Sequence, residues 1–160
     1  MEEHAGEPMG MGTALVRTAF LIDAVYADSA RQFDVTVPQA QLLCILMPRP
    51  YGMFELAKAL GLAKSSISGL VDRSAKRDLV RREADPSDGR AFRVALTAKG
   101  AQLGQECHEE ITRRVDELSL GLAEAERQTL TSLLTKVIAD NRVPVVFADG
   151  DCPSAGSCEA

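Results

Sequence analysis

The stretch from Glu55 to Arg93, ELAKALGLAKSSISGLVDRSAKRDLVRREADPSDGRAFR, decides the fold of this 160-residue chain. Its first half has the spacing of two short helices that cross at a turn. A small residue stands at Ala57, a glycine follows four positions later at Gly61, and the apolar Ile67 comes six positions after that. Glycine is favoured at such a turn because it adopts a left-handed conformation without steric cost. The pattern therefore predicts a helix-turn-helix.

The two helices of this motif are predicted over Tyr51–Leu60 and Lys64–Arg77. In the second helix Ile67, Leu70 and Val71 recur at the spacing of one helical face, which predicts that this face packs on the core. The opposite face is short, polar and partly basic, as suits a helix that enters the major groove of DNA. It consists of Ser65, Ser66, Ser68, Gly69, Asp72, Arg73 and Lys76.

Two runs of alternating residues follow, Leu79–Ala84 and Ala91–Leu96, and they predict the strands of a hairpin. Between them lies the sequence Asp-Pro-Ser-Asp-Gly, in which proline fixes φ and glycine allows a positive φ. The basic residues of this hairpin are Arg81, Arg82, Arg90 and Arg93. A helix-turn-helix followed by a basic hairpin predicts a winged helix-turn-helix.

Residues 56–100, LAKALGLAKSSISGLVDRSAKRDLVRREADPSDGRAFRVALTAKG, closely resemble the DNA-binding core of the multiple-antibiotic-resistance regulators, the MarR family of bacterial transcription factors. The specific parts are the DPSDGR wing, the Leu-Val-Asp-Arg of the second helix and the closing LTAKG. The resemblance is strong over residues 39–100, weaker in the flanking helices and absent after Asn141. It implies a mainly α fold with a small β-hairpin wing, in which N- and C-terminal helices interlock into a triangular homodimer.

The flanking segments carry more apolar surface than a small winged domain covers, so a homodimer is the expected way to bury it. The winged helix-turn-helix is predicted over residues 48–97, between the two parts of a helical dimerisation region, residues 12–47 and 98–140. We expect residues 1–11 to be disordered and residues 141–160 to form a flexible tail that contains cysteines.

The net charge of −5 is divided unevenly along the chain. Residues 48–93 hold ten basic and six acidic side chains, a net charge of +4, whereas the remainder holds eight basic and seventeen acidic side chains, a net charge of −9. The positive field is thus confined to the predicted DNA-reading surface. The acidic remainder should repel DNA and favour one orientation of approach.

Composition excludes several classes of protein. The N-terminus has no apolar core of a signal peptide, and no run reaches the roughly 18 apolar residues that a membrane helix needs. We therefore expect a cytoplasmic protein without membrane contact, in which the cysteines rest as thiols. No glycine-rich phosphate loop or nucleophile–base arrangement is present, and the two histidines are His4 and His108. The chain is not expected to be an enzyme or to need a cofactor.

The second helix and the wing contain the residues expected to bind DNA. Near the helix start, phosphate and base-edge contacts are both within reach. Gly69 permits close approach to the duplex or is simply tolerated, and Ala63 stands where a polar N-cap is usual. Arg90 is the strongest candidate, since an arginine on a thin hairpin enters a narrow minor groove. The expected DNA-binding residues are Lys64, Ser65, Ser66, Ser68, Gly69, Arg73, Asp88, Arg90 and Arg93, of which Asp88 is expected to hold the Arg90 guanidinium by a bidentate pair.

The resemblance also implies a cleft between the dimerisation helices and the DNA-reading part that takes small anionic or phenolic ligands. The alternative is that Phe20 and Tyr26 are core aromatics and Asp23 is a surface charge. The candidate ligand-binding residues are Arg17, Phe20, Asp23, Tyr26, Cys44 and Met47.

The cysteines raise a second mechanism. Cys152 and Cys158 flank the short loop PSAGS and are candidates for a redox-active disulfide within the tail or across a dimer. Cys44 and Cys107 fall on apolar helix faces and are expected to be inert core thiols. No spacing of cysteine and histidine matches a zinc motif, so no metal site is expected.

The sequence thus predicts a dimeric repressor that binds a palindromic site in double-stranded DNA and is released by a small ligand. Two alternatives remain open. One is a repressor of the same fold that senses oxidants or electrophiles through thiols. The other is a winged-helix protein-interaction module that does not bind DNA.

Overall fold

The computed structural model describes residues 9–141. These residues form six helices and a small three-stranded antiparallel sheet, which confirms the predicted winged helix-turn-helix fold. The predicted tail over residues 141–160, apart from its first residue, and most of the predicted N-terminal segment lie outside the described part. In chain order the elements are α1 (Met11–Gln32), α2 (Val37–Leu46), β1 (Tyr51–Gly52), α3 (Met53–Leu60), α4 (Lys64–Lys76), β2 (Val80–Asp85), β3 (Asp88–Leu96), α5 (Ala98–Glu117) and α6 (Glu124–Asp140).

Local sequence signals fix several helix ends. Thr36 caps α2 by accepting the backbone N–H of Gln39, whose side chain in turn accepts the Thr36 N–H. This reciprocal pair satisfies two N–H groups that the first turn of a helix leaves free. Gly61 ends α3 in the left-handed conformation, with φ of 63°. Thr97 caps α5 by accepting the Gly100 N–H at 3.0 Å. The predicted turn glycine is confirmed.

The sheet contains a strand that the sequence prediction missed. Tyr51 and Gly52 form β1 and pair with Val94 and Arg93 of β3, so the strand order is β1-β3-β2. The helix predicted over Tyr51–Leu60 was therefore wrong in its first two residues. The edge of β3 takes up their backbone hydrogen bonds, which holds them extended.

One hydrophobic core joins α2, the helix-turn-helix and α5. Its fully buried side chains include Leu42 and Leu43 of α2, Leu56 of α3 and Ile67 of α4. Cys107 of α5 is also fully buried in this core. The apolar spacing read from the sequence therefore predicted correctly which face of α4 packs inward, and Cys107 lies in the core as expected.

The two terminal helices differ from this packed centre. In α1 the buried residues are Val25, Ser29 and Ala30, all near the C-terminal end, and no residue of α6 is buried. Both helices instead expose large apolar side chains, including Phe20, which is 69% exposed, and Leu133, which is 55% exposed. Two apolar helix faces are therefore left without a partner within residues 9–141.

Candidate DNA-binding interface

The position of α4 leaves its polar face open to solvent. Ile67, Leu70, Val71 and Ser74 are buried, whereas Lys64, Ser65, Ser66 and Arg73 are exposed and Ser68 and Gly69 are half-buried. This is the division between core face and solvent face that the sequence predicted. The residues proposed to read DNA thus lie together on one accessible side of α4.

The start of α4 presents free backbone donors. Ala63 is the N-cap and makes no side-chain cap, as the sequence suggested. The first turn therefore exposes N–H groups at the positive end of the helix dipole, an arrangement that favours a phosphate oxygen. The Ser68 hydroxyl differs from those of Ser65 and Ser66, because it donates to the Lys64 carbonyl at 3.1 Å. Because its hydrogen is already donated, the Ser68 hydroxyl can only accept a hydrogen bond from a ligand.

The side chain of Arg73 lies over Gly69. A Cβ atom added at Gly69 would lie 3.1 Å from Arg73 Nη1, whereas no other side chain comes within 4 Å. The Arg73 guanidinium therefore lies folded back along the exposed face of α4. A Cβ atom at position 69 would require only a small shift of this flexible side chain.

The wing is a tight hairpin whose tip is organised by two aspartates. Pro86 and Ser87 make the turn, and Asp85 accepts the Ser87 hydroxyl at 2.6 Å and the Ser87 N–H at 2.8 Å. The Ser87 hydroxyl is the main cause that lowers the pKa of Asp85 below its usual value. Both strands extend further toward the tip than predicted, since β2 ends at Asp85 and β3 begins at Asp88.

The predicted bidentate pair between Asp88 and Arg90 is wrong. Asp88 Oδ1 instead accepts the backbone N–H of Arg90 at 3.0 Å, the local contact that a short aspartate side chain makes with a main-chain N–H two residues on. Across residues 9–141 no carboxylate pairs with the Arg90 guanidinium, and Arg90 is exposed. The contact therefore fixes the backbone of the wing, and the Arg90 guanidinium remains available to contact a ligand.

A link between the wing and α4 escaped the sequence prediction. Arg82 Nη2 on β2 lies 2.5 Å from Asp72 Oδ1 on α4, and its guanidinium lies 5.0 Å from the ring centroid of Phe92 on β3. One arginine thus connects the helix to both wing strands. Asp72, on the polar face, is engaged by the wing.

Arg93 occupies a more enclosed place than the other predicted DNA contacts. It is half-buried on β3, opposite Gly52 of β1 and Glu83 of β2, and its Nε is buried without a hydrogen-bond partner among the described residues. Its charge also contributes, after nearer hydrogen bonds, to the lowered pKa values of Glu55 and Asp85. Arg93 therefore sits at the base of the wing, where it stabilises neighbouring carboxylates.

The start of α3 is fixed by a cluster that sequence reasoning did not find. The Arg49 guanidinium lies 3.8 Å from the ring centroid of Tyr51 and 3.0 Å from Glu55 Oε1. Glu55 also accepts the Gly52 N–H at 3.0 Å. The hydrogen bond from Arg49 is the main cause that lowers the pKa of Glu55. These contacts fix α3 against β1 and thereby orient the helix-turn-helix.

The six candidate ligand-binding residues do not gather at one place in the single chain. Tyr26 packs against the core next to buried Cys44, and burial raises the pKa of Tyr26 to about 12. Met47 is half-buried at the end of α2, whereas Arg17, Phe20 and Asp23 are exposed on α1. Phe20 is thus not a core aromatic of this chain, and Tyr26 is.

The buried thiols are held in their neutral form. Burial raises the pKa of Cys44 to about 12 and that of Cys107 to about 11. Since the thiolate is the reactive species, we expect both cysteines to resist iodoacetamide at pH 8 in the folded protein. Peptide mass spectrometry measures this, with the protein alkylated in denaturant as the control. Labelling of Cys44 in the native protein at the rate of the denatured control would contradict the assignment.

Comparisons with known proteins agree with this geometry. A model of the MarR family matches residues 33–91. The chain is 35% identical over 117 residues to the HTH-type transcriptional repressor NicR of Pseudomonas putida, covering 72% of this chain and 73% of that protein. It is 32% identical over 107 residues to the multiple antibiotic resistance protein MarR of Escherichia coli, covering 66% of this chain and 74% of that protein.

Solved structures show the same likeness. The crystal structure of apo MarR from E. coli superposes with a TM-score of 0.73 at 27% identity, covering 82% of this chain and 99% of that one. A MarR variant from E. coli in complex with operator DNA superposes with a TM-score of 0.67 at 28% identity, covering 80% of this chain and 93% of that one.

The fold and the exposed face of α4 define a winged helix-turn-helix transcriptional regulator that binds DNA. More narrowly, the chain belongs to the MarR family, and its fold is that of the family's transcriptional repressors. The relatives named above are transcriptional regulators, which are not enzymes. In the described part of the chain no helix is long and apolar enough to cross a membrane.

Proposed function

We propose that this protein is a homodimeric repressor that binds a palindromic operator and is released by a small phenolic or anionic ligand. The observation that carries the proposal is the exposed polar face of α4 beside a wing whose tip arginine, Arg90, pairs with no carboxylate among the described residues. Only DNA binding and regulation follow from family membership. The dimer, the operator symmetry and the ligand are argued below.

The dimer is supported by the unpartnered faces of α1 and α6. A 17-residue helix such as α6 has marginal stability in water unless an apolar face packs, yet α6 buries no residue in the single chain. Large exposed apolar patches mark interaction surfaces. The exposed residues are Met11, Leu15, Val16, Phe20 and Leu21 of α1, Leu118 and Leu120 after α5, and Leu130, Leu133, Leu134, Val137 and Ile138 of α6. A second copy would cover both faces.

A two-fold dimer implies a palindromic operator. Each recognition helix, α4, would enter the major groove of one half-site, and the two half-sites would lie about one helical turn of DNA apart. Lys64 and Arg73 would contact phosphates, while Ser65 and Ser66 would reach phosphates and base edges from the start of the helix. Arg90 would enter the flanking minor groove.

Ligand release is proposed to act through the distance between the two recognition helices. The candidate residues on α1 lie exposed in the single chain, whereas Tyr26, Cys44 and Met47 border the core. A ligand that wedges between these two groups would move α1 relative to α4 and change the half-site spacing. The pairing of an exposed cation, Arg17, with aromatic side chains suits an anionic or phenolic ligand.

The salt dependence of DNA binding tests the proposal. Fragments selected by the protein from random double-stranded DNA are titrated at several salt concentrations. Four phosphate contacts, from Lys64 and Arg73 in each subunit, give a slope of log affinity against log salt of about −3.6, and further contacts make it steeper. If the protein is dimeric but selects and binds no DNA fragment even at low salt, the proposal is refuted and the protein-interaction module is favoured.

A further inference from the structure

The segment that follows the recognition helix contacts two other parts of the fold at once. Arg77 is the C-cap of α4, and Asp78 after it has a left-handed backbone with φ of 59°. The Arg77 side chain reaches the corner between α1 and α2, while the backbone of Arg77, Asp78 and Leu79 meets the start of α5. The C-terminal end of α4 is therefore joined to both flanking helices.

Asp34 receives the Arg77 side chain at the corner between α1 and α2. Arg77 Nη1 donates to the Asp34 carbonyl at 2.6 Å, and Nη2 lies 3.2 Å from Asp34 Oδ2. Asp34 has a φ of 52°, a left-handed conformation that aspartate tolerates better than most residues. A hydrogen bond from a charged donor is stronger than one between neutral groups. The two arms of the guanidinium thus bind one corner residue in a fixed orientation.

The start of α5 holds the same segment through its backbone carbonyls. Lys99 Nζ donates to the Arg77 carbonyl at 3.0 Å, and the Thr97 hydroxyl donates to the Asp78 carbonyl at 2.6 Å. The Thr97 N–H donates to the Leu79 carbonyl at 3.2 Å. Three successive carbonyls after α4 are therefore satisfied by two residues of one neighbouring element. Arg77 supplies the connection to α1 and α2, and Lys99 and Thr97 supply the connection to α5.

We infer that Arg77 is a positioning residue that fixes the recognition helix relative to the corner between α1 and α2. The inference rests on the dimer proposed above, in which α1 belongs to the dimer frame. Both recognition helices must then meet half-sites at a set spacing, so a change in their angle disturbs both contacts together. The Arg77 guanidinium is already bound by Asp34, which argues against a role as a free phosphate contact.

The test compares binding to a whole operator with binding to half of it. The probes are a palindromic fragment selected by the wild-type protein from random double-stranded DNA, and the same fragment with one half-site scrambled. In Arg77→Ala we expect affinity for the palindrome to fall about three- to fivefold, the range of an exposed ion pair. Affinity for the single half-site and the salt slope should match wild type.

A direct phosphate contact predicts a different result. It would weaken binding to the single half-site as well and reduce the magnitude of the salt slope by about 0.9 for each Arg77 lost. That result would overturn the inference, as would unchanged affinity for both probes. Lys136→Ala is the matched control, because it removes one exposed positive charge from α6. If Arg77→Ala does not fold, Arg77→Lys, which keeps the charge but lacks the second arm, takes its place with the same expectation.

Hydrogen exchange provides a readout that needs no DNA. The Val35 N–H bonds to the Ala30 carbonyl at 2.9 Å beside the corner, and the Leu79 N–H bonds to the Ser74 carbonyl at 3.0 Å after α4. If Arg77 joins these regions, both amides should exchange several-fold faster in Arg77→Ala and at the wild-type rate in Lys136→Ala. Unchanged exchange at either amide would overturn the inference. A protein that binds no DNA yet shows this coupled exchange would refute the proposed function while supporting the role of Arg77.

Discussion

Arg90→Ala is expected to weaken binding to a cognate operator tenfold or more in a mobility-shift titration. Arg90 is exposed at the end of a thin hairpin, and in residues 9–141 no acidic side chain neutralises it. A narrow minor groove concentrates negative potential, and an inserted arginine gains from it. A tenfold loss equals about 1.4 kcal/mol, which is modest for a change that removes one arginine from each wing of a dimer.

Two variants make this result specific. Lys136→Ala removes the same charge from α6 and should leave affinity within about twofold of wild type. Asp88→Ala should weaken binding less than Arg90→Ala does, because Asp88 organises the wing backbone through the Arg90 N–H and does not hold the guanidinium. Wild-type affinity in Arg90→Ala would refute the assignment of the wing arginine to DNA.

Gly100→Ala is expected to lower the free energy of unfolding by about 3 kcal/mol, at the upper end of what overpacking usually costs. A Cβ atom at Gly100 would lie 1.8 Å from the Leu79 carbonyl oxygen and 2.7 Å from its carbon. These are backbone atoms, and Leu79 is held by hydrogen bonds from its N–H to Ser74 and from Thr97 to its carbonyl. The neighbour therefore cannot rotate away, and α5 must shift instead.

Chemical denaturation followed by circular dichroism measures this loss. Gly12→Ala is the matched control, since Gly12 lies in the first turn of α1 as Gly100 does in α5, and no atom approaches its Cβ position within 4 Å. Its stability should be equal to or slightly above that of wild type, because alanine favours the helix. A denaturation midpoint for Gly100→Ala equal to that of Gly12→Ala would show that the contact is absent in solution.

Signals within a few residues of one another predicted much of the fold. The left-handed turn at Gly61 and the aspartate–proline turn of the wing depend on local backbone chemistry, and each formed as expected. The apolar spacing in α4 likewise identified its core face, and with it the exposed residues proposed to meet DNA. The pair between Asp88 and Arg90 was mispredicted because sequence proximity does not say which atom of a residue is contacted.

The remaining features depend on residues that are distant along the chain. Strand β1 forms because Tyr51 pairs with the edge of β3. Arg82 joins the wing to α4 because packing places it beside Asp72. The same holds for Arg77 and Asp34, which are 43 residues apart. No local sequence pattern identifies these partners, because many other charged side chains of this chain are of the same types and are equally exposed.

The sequence by itself therefore determined the winged helix-turn-helix, its polar recognition face and the basic wing, because periodicity, caps and turns are set by neighbouring residues. Only the tertiary structure decided how these parts are held together: the close packing of Gly100 on Leu79, and the ion pairs that join α4 to the wing and to the helix corner. The physical reason is that a contact between distant residues depends on the packed positions of whole elements, and those positions follow from the shared core.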